Sequence, residues 1–159
     1  MKMAQKDRIL LEMAIETALS GIDEGGGPFG AVVTCGGKVI AKEYNKVVKM
    51  SDPTAHAEIL AIRTASELLK THNLKGCTLY SSCEPCPMCI GAIYWAGIDR
   101  VVYASDRNQA EEAGFIDSMI YNEISSNPSD RKIRFTQIRM DSAEELFRKW
   151  KDTENKIPY

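Results

Sequence analysis

The chain has 159 residues, of which 44% are hydrophobic and 26% charged, enough for a single globular domain with a filled core. No run reaches the ~18 apolar residues of a membrane span, and the opening MKMAQKDRILLEM lacks the apolar stretch and cleavage site of a signal peptide, so a cytoplasmic protein is expected. A net charge of −2 argues against a nucleic-acid partner, and five cysteines, an odd number, argue against a disulfide framework.

Residues 7–22, DRILLEMAIETALSGI, predict an amphipathic helix with Leu11, Ala14, Ile15, Ala18, Leu19 and Ile22 on its buried face. EGGGPFG breaks it. GAVVT and KVIAKEY flank the turn-rich CGGK, which predicts a hairpin over 30–44. Asp52 followed by Pro53 has the form of an N-cap with proline at the first helical position, so a helix is expected from about 53 to 70. CTLYSS (77–82) predicts a strand, and 86–96 a helix. DRVVYAS (99–105) predicts another strand, and 111–124 a helix with a break at Gly114. KIRFTQI (132–138) alternates as a fifth strand would. A last helix over AEELFRKWKDTE leads into the tail NKIPY. An antiparallel hairpin followed by strands that alternate with helices predicts an α/β domain of three layers, an α/β/α sandwich around a mixed sheet of about five strands.

The chemistry concentrates in SSCEPCPMCIGA, residues 81–92. Pro85 and Pro87 bracket Cys86. A residue before proline avoids the α region, so Cys86 belongs at the very start of its helix, with Cys89 three residues in. Free backbone N–H groups and the helix dipole there favour thiolates, which are ready zinc ligands. The third ligand candidate is His56 in TAHAE, in the first turn of the preceding helix, with Glu58 two residues on. Positions i and i+2 diverge along a regular helix, so both reach one metal only at the helix end. One histidine and two cysteines leave a fourth tetrahedral position for water, the catalytic pattern for zinc. A water so bound has a pKa near ~7, and Glu58 is free to carry protons. A closed structural site of Cys83, Cys86, Cys89 and His56, or a redox C-x-x-C pair, are the alternatives. The first leaves Glu58 without a role, and the second sits poorly with two prolines and a nearby H-x-E. Cys35, beside the hairpin turn, and Cys77, in a strand, read as structural. The coupled pattern H-x-E…P-C-x-x-C is a signature of zinc deaminases acting on nucleobases.

TAHAE and CEPCPMC are similar to the cytidine deaminase-like superfamily. GGPFGAVV, DPTAHAEILAIR, LYSSCEPCPMCIGAIYWA, EEAGFIDSMIYNEI and the terminal tyrosine resemble, more narrowly, the bacterial guanine deaminases, over about residues 8–159. The resemblance implies a cytidine deaminase-like fold and hydrolysis of guanine to xanthine and ammonia. It implies zinc held by His56, Cys86 and Cys89, with Glu58 as general acid/base. It further implies that Asn45 hydrogen-bonds the purine, that Phe29 packs on the base, and that Ala57 lines the substrate. Asp117 matches a second acid. Tyr159 matches a tyrosine that reaches the site of a partner subunit, with the segment from about 140 exchanged in a domain-swapped homodimer. The family run tends to read G-F-D-D where this chain has Gly114-Phe115-Ile116-Asp117, so the second acid is kept and the first is apolar. Trp95 and Phe115 are expected in the core, with walling the pocket as their alternative. The rival functions are a tRNA adenosine deaminase, which shares DPTAHAE, a deaminase of a nucleoside or another aminoheterocycle, and a zinc module without catalysis.

Overall fold

The hairpin that organises the sheet closes on two glycines. A computed structural model describes residues 3–158 and shows β1 (Gly30–Cys35) and β2 (Lys38–Tyr44) joined through Gly36 and Gly37, with φ of 56° and 80°. A two-residue turn of the type that matches strand twist needs positive φ at both positions, and glycine adopts it without strain. β1 also pairs antiparallel with β3 (Cys77–Cys83), which pairs parallel with β4 (Arg100–Ser105). The sheet is therefore mixed, of four strands in the order β2-β1-β3-β4.

The sheet has a core on each face. Residues of odd number in β1 and β3, such as Ala31, Val33 and Leu79, pack with Ala57, Ala61 and Ala65 of α3 (Ala57–Leu69) and Ile93 of α4 (Pro87–Trp95). Those of even number, Val32 and Tyr80, pack with Leu10 and Ala14 of α1 (Met3–Asp23). This is the period of two expected of a strand buried on both faces, and it gives the three layers. A short α2 (Val47–Met50) follows β2. The expected break at Gly114 is present: its φ is 94°, and it separates α5 (Arg107–Glu112) from α6 (Ser118–Ser125).

α1 meets the sheet through part of the expected stripe, with Ala14 and Ala18 buried and Leu11 and Ile15 half-buried, but not through its last two members. Its buried residues are Leu10, Ala14, Ala18 and Gly21, while Leu19 and Ile22 are exposed. The stripe is of small residues because the backbones come very close. A Cβ on Gly30 would stand 2.2 Å from the Ala14 carbonyl oxygen and 2.6 Å from the Ala18 nitrogen, and one on Gly21 would enter the Tyr44 ring. The ladder of Leu, Ala, Ala and Gly outcompetes the larger side chains because only small groups fit the gap. The outer end of the helix is tied by Asp7, whose carboxylate accepts from both Arg100 Nη1 (3.0 Å) and Nη2 (2.7 Å) and from the Tyr80 hydroxyl (2.9 Å).

Three further expectations are corrected. The helix expected from Pro53 begins at Ala57. Asp52 instead closes a turn, its Oδ1 accepting from the Thr54 N–H (2.8 Å) and hydroxyl (2.7 Å). Residues 132–138 form no strand. They begin in a bend and no described segment pairs with them, and alternation without a hydrogen-bonding neighbour does not make a sheet. Trp95 is not in the core but 70% exposed.

The chain divides into two compact units, one ending at Asp117 and one beginning at Ser118. The second holds α6, a 3-10 turn at Pro128–Asp130 and α7 (Asp141–Asp152). Neither α6 nor α7 contains a buried residue, and Leu146, Phe147 and Trp150 of α7 are exposed. Among the described residues no helix is long and apolar enough to cross a membrane.

Replacing Gly30 by alanine tests the contact between α1 and β1. The added methyl meets backbone, which cannot rotate away, so Gly30→Ala is expected to cost about 3 kcal/mol and to lower Tm by roughly 6–12 °C in a thermal melt. A variant melting within about 2 °C of the parent would refute this account of the packing.

Candidate active site

Two helix starts converge at the end of the sheet where β3 finishes. His56 is the N-cap of α3 (φ −68°, ψ 151°) and Cys86 the N-cap of α4 (φ −68°, ψ 169°). Both are extended residues just outside their helices. Pro87 enforces this at Cys86, because the residue before a proline avoids the α region, and itself takes the first helical position. Because His56 lies outside the helix and Glu58 is its second residue, their side chains escape the divergence of a regular i, i+2 pair. Cys89 is the third residue of α4 and is fully buried.

The three donor atoms form a nearly regular triangle. Cys86 Sγ lies 3.5 Å from His56 Nδ1 and 3.6 Å from Cys89 Sγ, and Cys89 Sγ lies 3.6 Å from His56 Nδ1. Tetrahedral zinc, with Zn–S of about 2.3 Å and Zn–N of about 2.0–2.1 Å, requires sulfur–sulfur edges of about 3.8 Å and sulfur–nitrogen edges of about 3.6 Å. The donor set fits the ion in chemistry and in size. Among the described residues this is the cluster of histidine, cysteine and acid side chains that could hold a metal. Cys83 is not one of its members. It is buried, its thiol points to the Asp106 carbonyl (3.6 Å), and burial pushes it up to about 11.

Within the triangle the protons are unevenly shared. The Cys89 thiol, hydrogen-bonding to Cys86, pulls the latter down to about 4, with help from His56. Cys89 itself is raised, first by the same partner and then by burial. Contact with Cys86 holds His56 above the usual imidazole range, against the effect of its burial. Zinc binding requires both sulfurs as thiolates and His56 neutral, so the site releases protons as it fills.

Glu58 is 5% exposed, and burial pushes its carboxyl above the usual carboxylate range. Its Oε1 accepts from the Ser81 hydroxyl (3.1 Å), while Oε2 lies 3.6 Å from Cys89 Sγ and faces the triangle. Ser81 is absent from the residues expected from sequence. The signal was available: Ser81 follows Leu79 by two in β3, so it must point into the α3 face, and a hydroxyl at a fully buried strand position needs an acceptor.

The other expected residues form a second group. Asn45 is buried just after β2. Its N–H donates to the Phe29 carbonyl (2.9 Å), and its Oδ1 accepts from the Val47 N–H (3.2 Å). Gly27 presses on the same amide, since a Cβ there would stand 3.1 Å from Asn45 Oδ1. With Oδ1 held by a backbone donor, the amide presents its NH₂ as the free donor edge. Phe29 is half-buried and meets Phe115 edge-to-face, with centroids 4.7 Å apart and planes at 83°. A cavity of about 280 Å³ lies beside this pair, bounded also by Ile15, Leu19, Ile22 and Ala110. Asp117 is half-buried. Its carboxyl is raised by desolvation and then by the negative charge of Cys86, so it senses the metal triangle. Ala57 is fully buried and offers only backbone. As the first residue of α3, its N–H has no acceptor within the helix. Tyr159 lies outside the described residues.

Residues 4–105 match the family model described as the cytidine and deoxycytidylate deaminase zinc-binding region. The chain is 47% identical to the guanine deaminase of Bacillus subtilis (strain 168) over 150 residues, covering 94% of this chain and 96% of that one. The X-ray structure of guanine deaminase from Bacillus subtilis superposes with a TM-score of 0.93 at 46% identity, covering 96% of this chain and 98% of that chain. The tRNA-specific adenosine deaminase of Aquifex aeolicus (strain VF5) is 32% identical over 136 residues, covering 86% and 87% of the two chains. A zinc-sized triangle at two helix starts, a buried glutamate facing it and these similarities together place the chain in the cytidine and deoxycytidylate deaminase zinc-binding family.

Proposed function

We propose that this protein is a zinc-dependent guanine deaminase, converting guanine and water to xanthine and ammonia in a purine catabolic step. The observation that carries the reading is the pairing of that catalytic geometry with 47% identity to a guanine deaminase over nearly the whole of both chains. The tRNA-specific adenosine deaminase is matched at lower identity, and a net charge of −2 offers little for polyanionic tRNA. His56, Cys86 and Cys89 hold the zinc. When bound, it supplies Lewis acidity and a water acidic enough to attack at neutral pH.

The rest is done by side chains. Glu58 takes a proton from the attacking water and delivers it to ring N3 of guanine, next to C2. Burial raises its carboxyl above the usual carboxylate range, which makes it a stronger proton acceptor than a solvated carboxylate, and once protonated it is the donor for the second half. The exocyclic nitrogen on C2 then needs a proton to leave as ammonia. Asp117, whose raised pKa lets it carry one, delivers it. Asn45 donates from its free NH₂ to an acceptor on the purine edge, Phe29 packs on the ring, and Ala57 contributes its backbone N–H. The segment from about 140 to 159 exchanges between two chains, bringing Tyr159 to the partner's site. The exposed Leu146, Phe147 and Trp150 of α7 support such an exchange, because an apolar helix face gains by being covered. The enzyme works in the cytoplasm, where reducing conditions keep the ligand thiols available.

Ammonia release from guanine is expected to exceed release from adenine, cytosine and their nucleosides, with no editing of tRNA. Activity confined to tRNA or to a nucleoside would reject the substrate assignment. Glu58→Gln is expected to retain zinc and fold while kcat falls about 10²–10⁴-fold, and Asp117→Asn to lower guanine turnover with zinc unchanged. A fully active Asp117→Asn enzyme would remove that residue from the proton path.

Metal analysis of the purified protein is expected to give about one zinc per chain, and Cys83→Ser is expected to keep it, because three protein ligands suffice. Loss of zinc in that variant, with a four-ligand protein shell in X-ray absorption, would make the site structural.

Exchange of the tail is read by complementation. A chain lacking Tyr159 and a Glu58→Gln chain are each impaired, but a mixed dimer contains one site with both residues intact. Mixing under conditions of subunit exchange is expected to restore activity, and no recovery there would count against the swap.

A further inference from the structure

Two cysteines outside the metal site face each other across the sheet. Cys35 ends β1 and Cys77 begins β3, and the two are directly opposed in the antiparallel ladder. The Cys77 N–H donates to the Leu74 carbonyl (3.0 Å) and its carbonyl accepts from the Asp99 N–H (3.3 Å). Its backbone polar groups are thus used away from β1, which makes Cys35 and Cys77 a non-hydrogen-bonded pair, the closer of the two kinds in an antiparallel ladder. Cα atoms in such a pair stand about 4.5 Å apart, inside the range a disulfide spans. Both thiols are free, and both side chains belong to the same packed cluster on the α3 face of the sheet.

We propose that Cys35 and Cys77 are a modification site, forming a reversible cross-strand disulfide when the protein meets a hydroperoxide. Their unequal exposure sets the order of events. Cys35 is half-exposed and within reach of the oxidant, whereas Cys77 is 1% exposed and burial pushes its thiol up to about 12. The Cys35 sulfur attacks one oxygen of hydrogen peroxide and the O–O bond breaks, leaving Cys35 as the sulfenic acid and releasing hydroxide, which takes up the proton given up by Cys35 to become water. The Cys77 sulfur attacks the sulfenic sulfur. The S–O bond breaks, and oxygen leaves as water with the Cys77 proton. Two thiols lose two electrons and one peroxide becomes two waters. A small thiol reductant reverses the bond by exchange.

The position gives the bond a consequence. The pair lies at the end of β1 opposite Gly30, about 17 Å along the strand from the end that meets the metal site, so the bond forms without touching the site. It closes the stretch of chain between positions 35 and 77, which carries β2, α2 and α3 and hence His56 and Glu58. Closing a long loop restricts the unfolded chain, so the oxidised protein gains stability in the part that supplies a zinc ligand. The other thiols do not compete. Cys83 is buried on Asp106, and zinc occupies Cys86 and Cys89 in the holoenzyme.

The zinc-loaded enzyme is treated with a few equivalents of hydrogen peroxide, alkylated and digested without reduction. A peptide pair linked through Cys35 and Cys77 is the expected product, monomeric on a denaturing gel, with Tm raised by about 5–10 °C and lowered again by dithiothreitol. Cys35→Ser, at the accessible position, is expected to lose both the link and the Tm rise. Cys77→Ala serves as the second control should Cys77→Ser fold poorly. Recovery of Cys35 as sulfinic or sulfonic acid with Cys77 still alkylatable would overturn the proposal. So would a link from either residue to a different cysteine, within or between chains, or an unmodified pair after the peroxide is consumed.

Discussion

The structure turns on a conflict at two helix starts. An α-helix begins with backbone N–H groups that need acceptors, and serine, threonine, aspartate or asparagine ordinarily provides one at the N-cap. Here the N-caps of α3 and α4 are His56 and Cys86, and neither makes a side-chain cap hydrogen bond. Both side chains are committed to one point in space. The free N–H groups and the positive helix ends then act on that point, favouring thiolate at Cys86 and negative charge at Glu58. The sheet makes the convergence possible. Parallel pairing of β3 with β4 requires a crossover, α4 is that crossover, and it therefore starts where β3 ends. α3 packs on the same face, with its first residues beside the end of β3.

Glu58 shows how burial tunes a carboxyl that faces the metal triangle. Removing it from water raises its pKa, and the nearby negative charge of Cys86 adds to the rise. The Ser81 hydroxyl works the other way, stabilising the ionised form and fixing which oxygen faces the metal triangle. A carboxyl under these opposed influences holds or yields its proton with small changes nearby, which suits the proton transfer proposed for it. Asn45 is treated similarly: Val47 and Gly27 together leave the amide one orientation, so its donor edge is set before any ligand arrives.

What was legible in the sequence was what depends on local chemistry. Pro87 after Cys86 dictates its backbone, two glycines at 36 and 37 dictate the hairpin turn, and Gly114 dictates the break before α6. These are steric facts about single residues. What failed depends on neighbours far away in the chain. KIRFTQI alternates as well as β2 does, but a strand exists only when another strand accepts its ladder. Leu19 and Ile22 continue the hydrophobic stripe of α1 yet are exposed, while Leu10 and Gly21 are buried with Ala14 and Ala18, because Gly30 allows the backbones to meet. Asp52-Pro53 satisfies the local rule for a helix start, but the turn it forms carries the chain four residues further, which leaves His56 outside α3. Ser81 is marked in sequence only by the strand period that buries its hydroxyl; its acceptor, Glu58, lies 23 residues away in the chain.

The metal centre and the choice of substrate are separable on physical grounds. Relatives named as guanine deaminase and as tRNA-specific adenosine deaminase both align across the centre, so the three ligands and the glutamate cannot discriminate between their substrates. Discrimination must rest on groups around it, which in the proposed reading are the Gly26–Phe29 turn, Asn45, and the run from Phe115 to Asp117. In that run Ile116 is 64% exposed and has no group that can bind or release a proton. The resemblance drawn from the sequence implies an acid at this position. The edge-to-face contact of Phe115 with Phe29 anchors the loop just before it, and Asp117 just after it is close enough to Cys86 for that charge to raise its carboxyl. A proton path to the leaving nitrogen that needed both acids would be broken here. One that needs a single half-buried carboxyl with a raised pKa is intact, and the reading of this chain as a guanine deaminase requires the second kind.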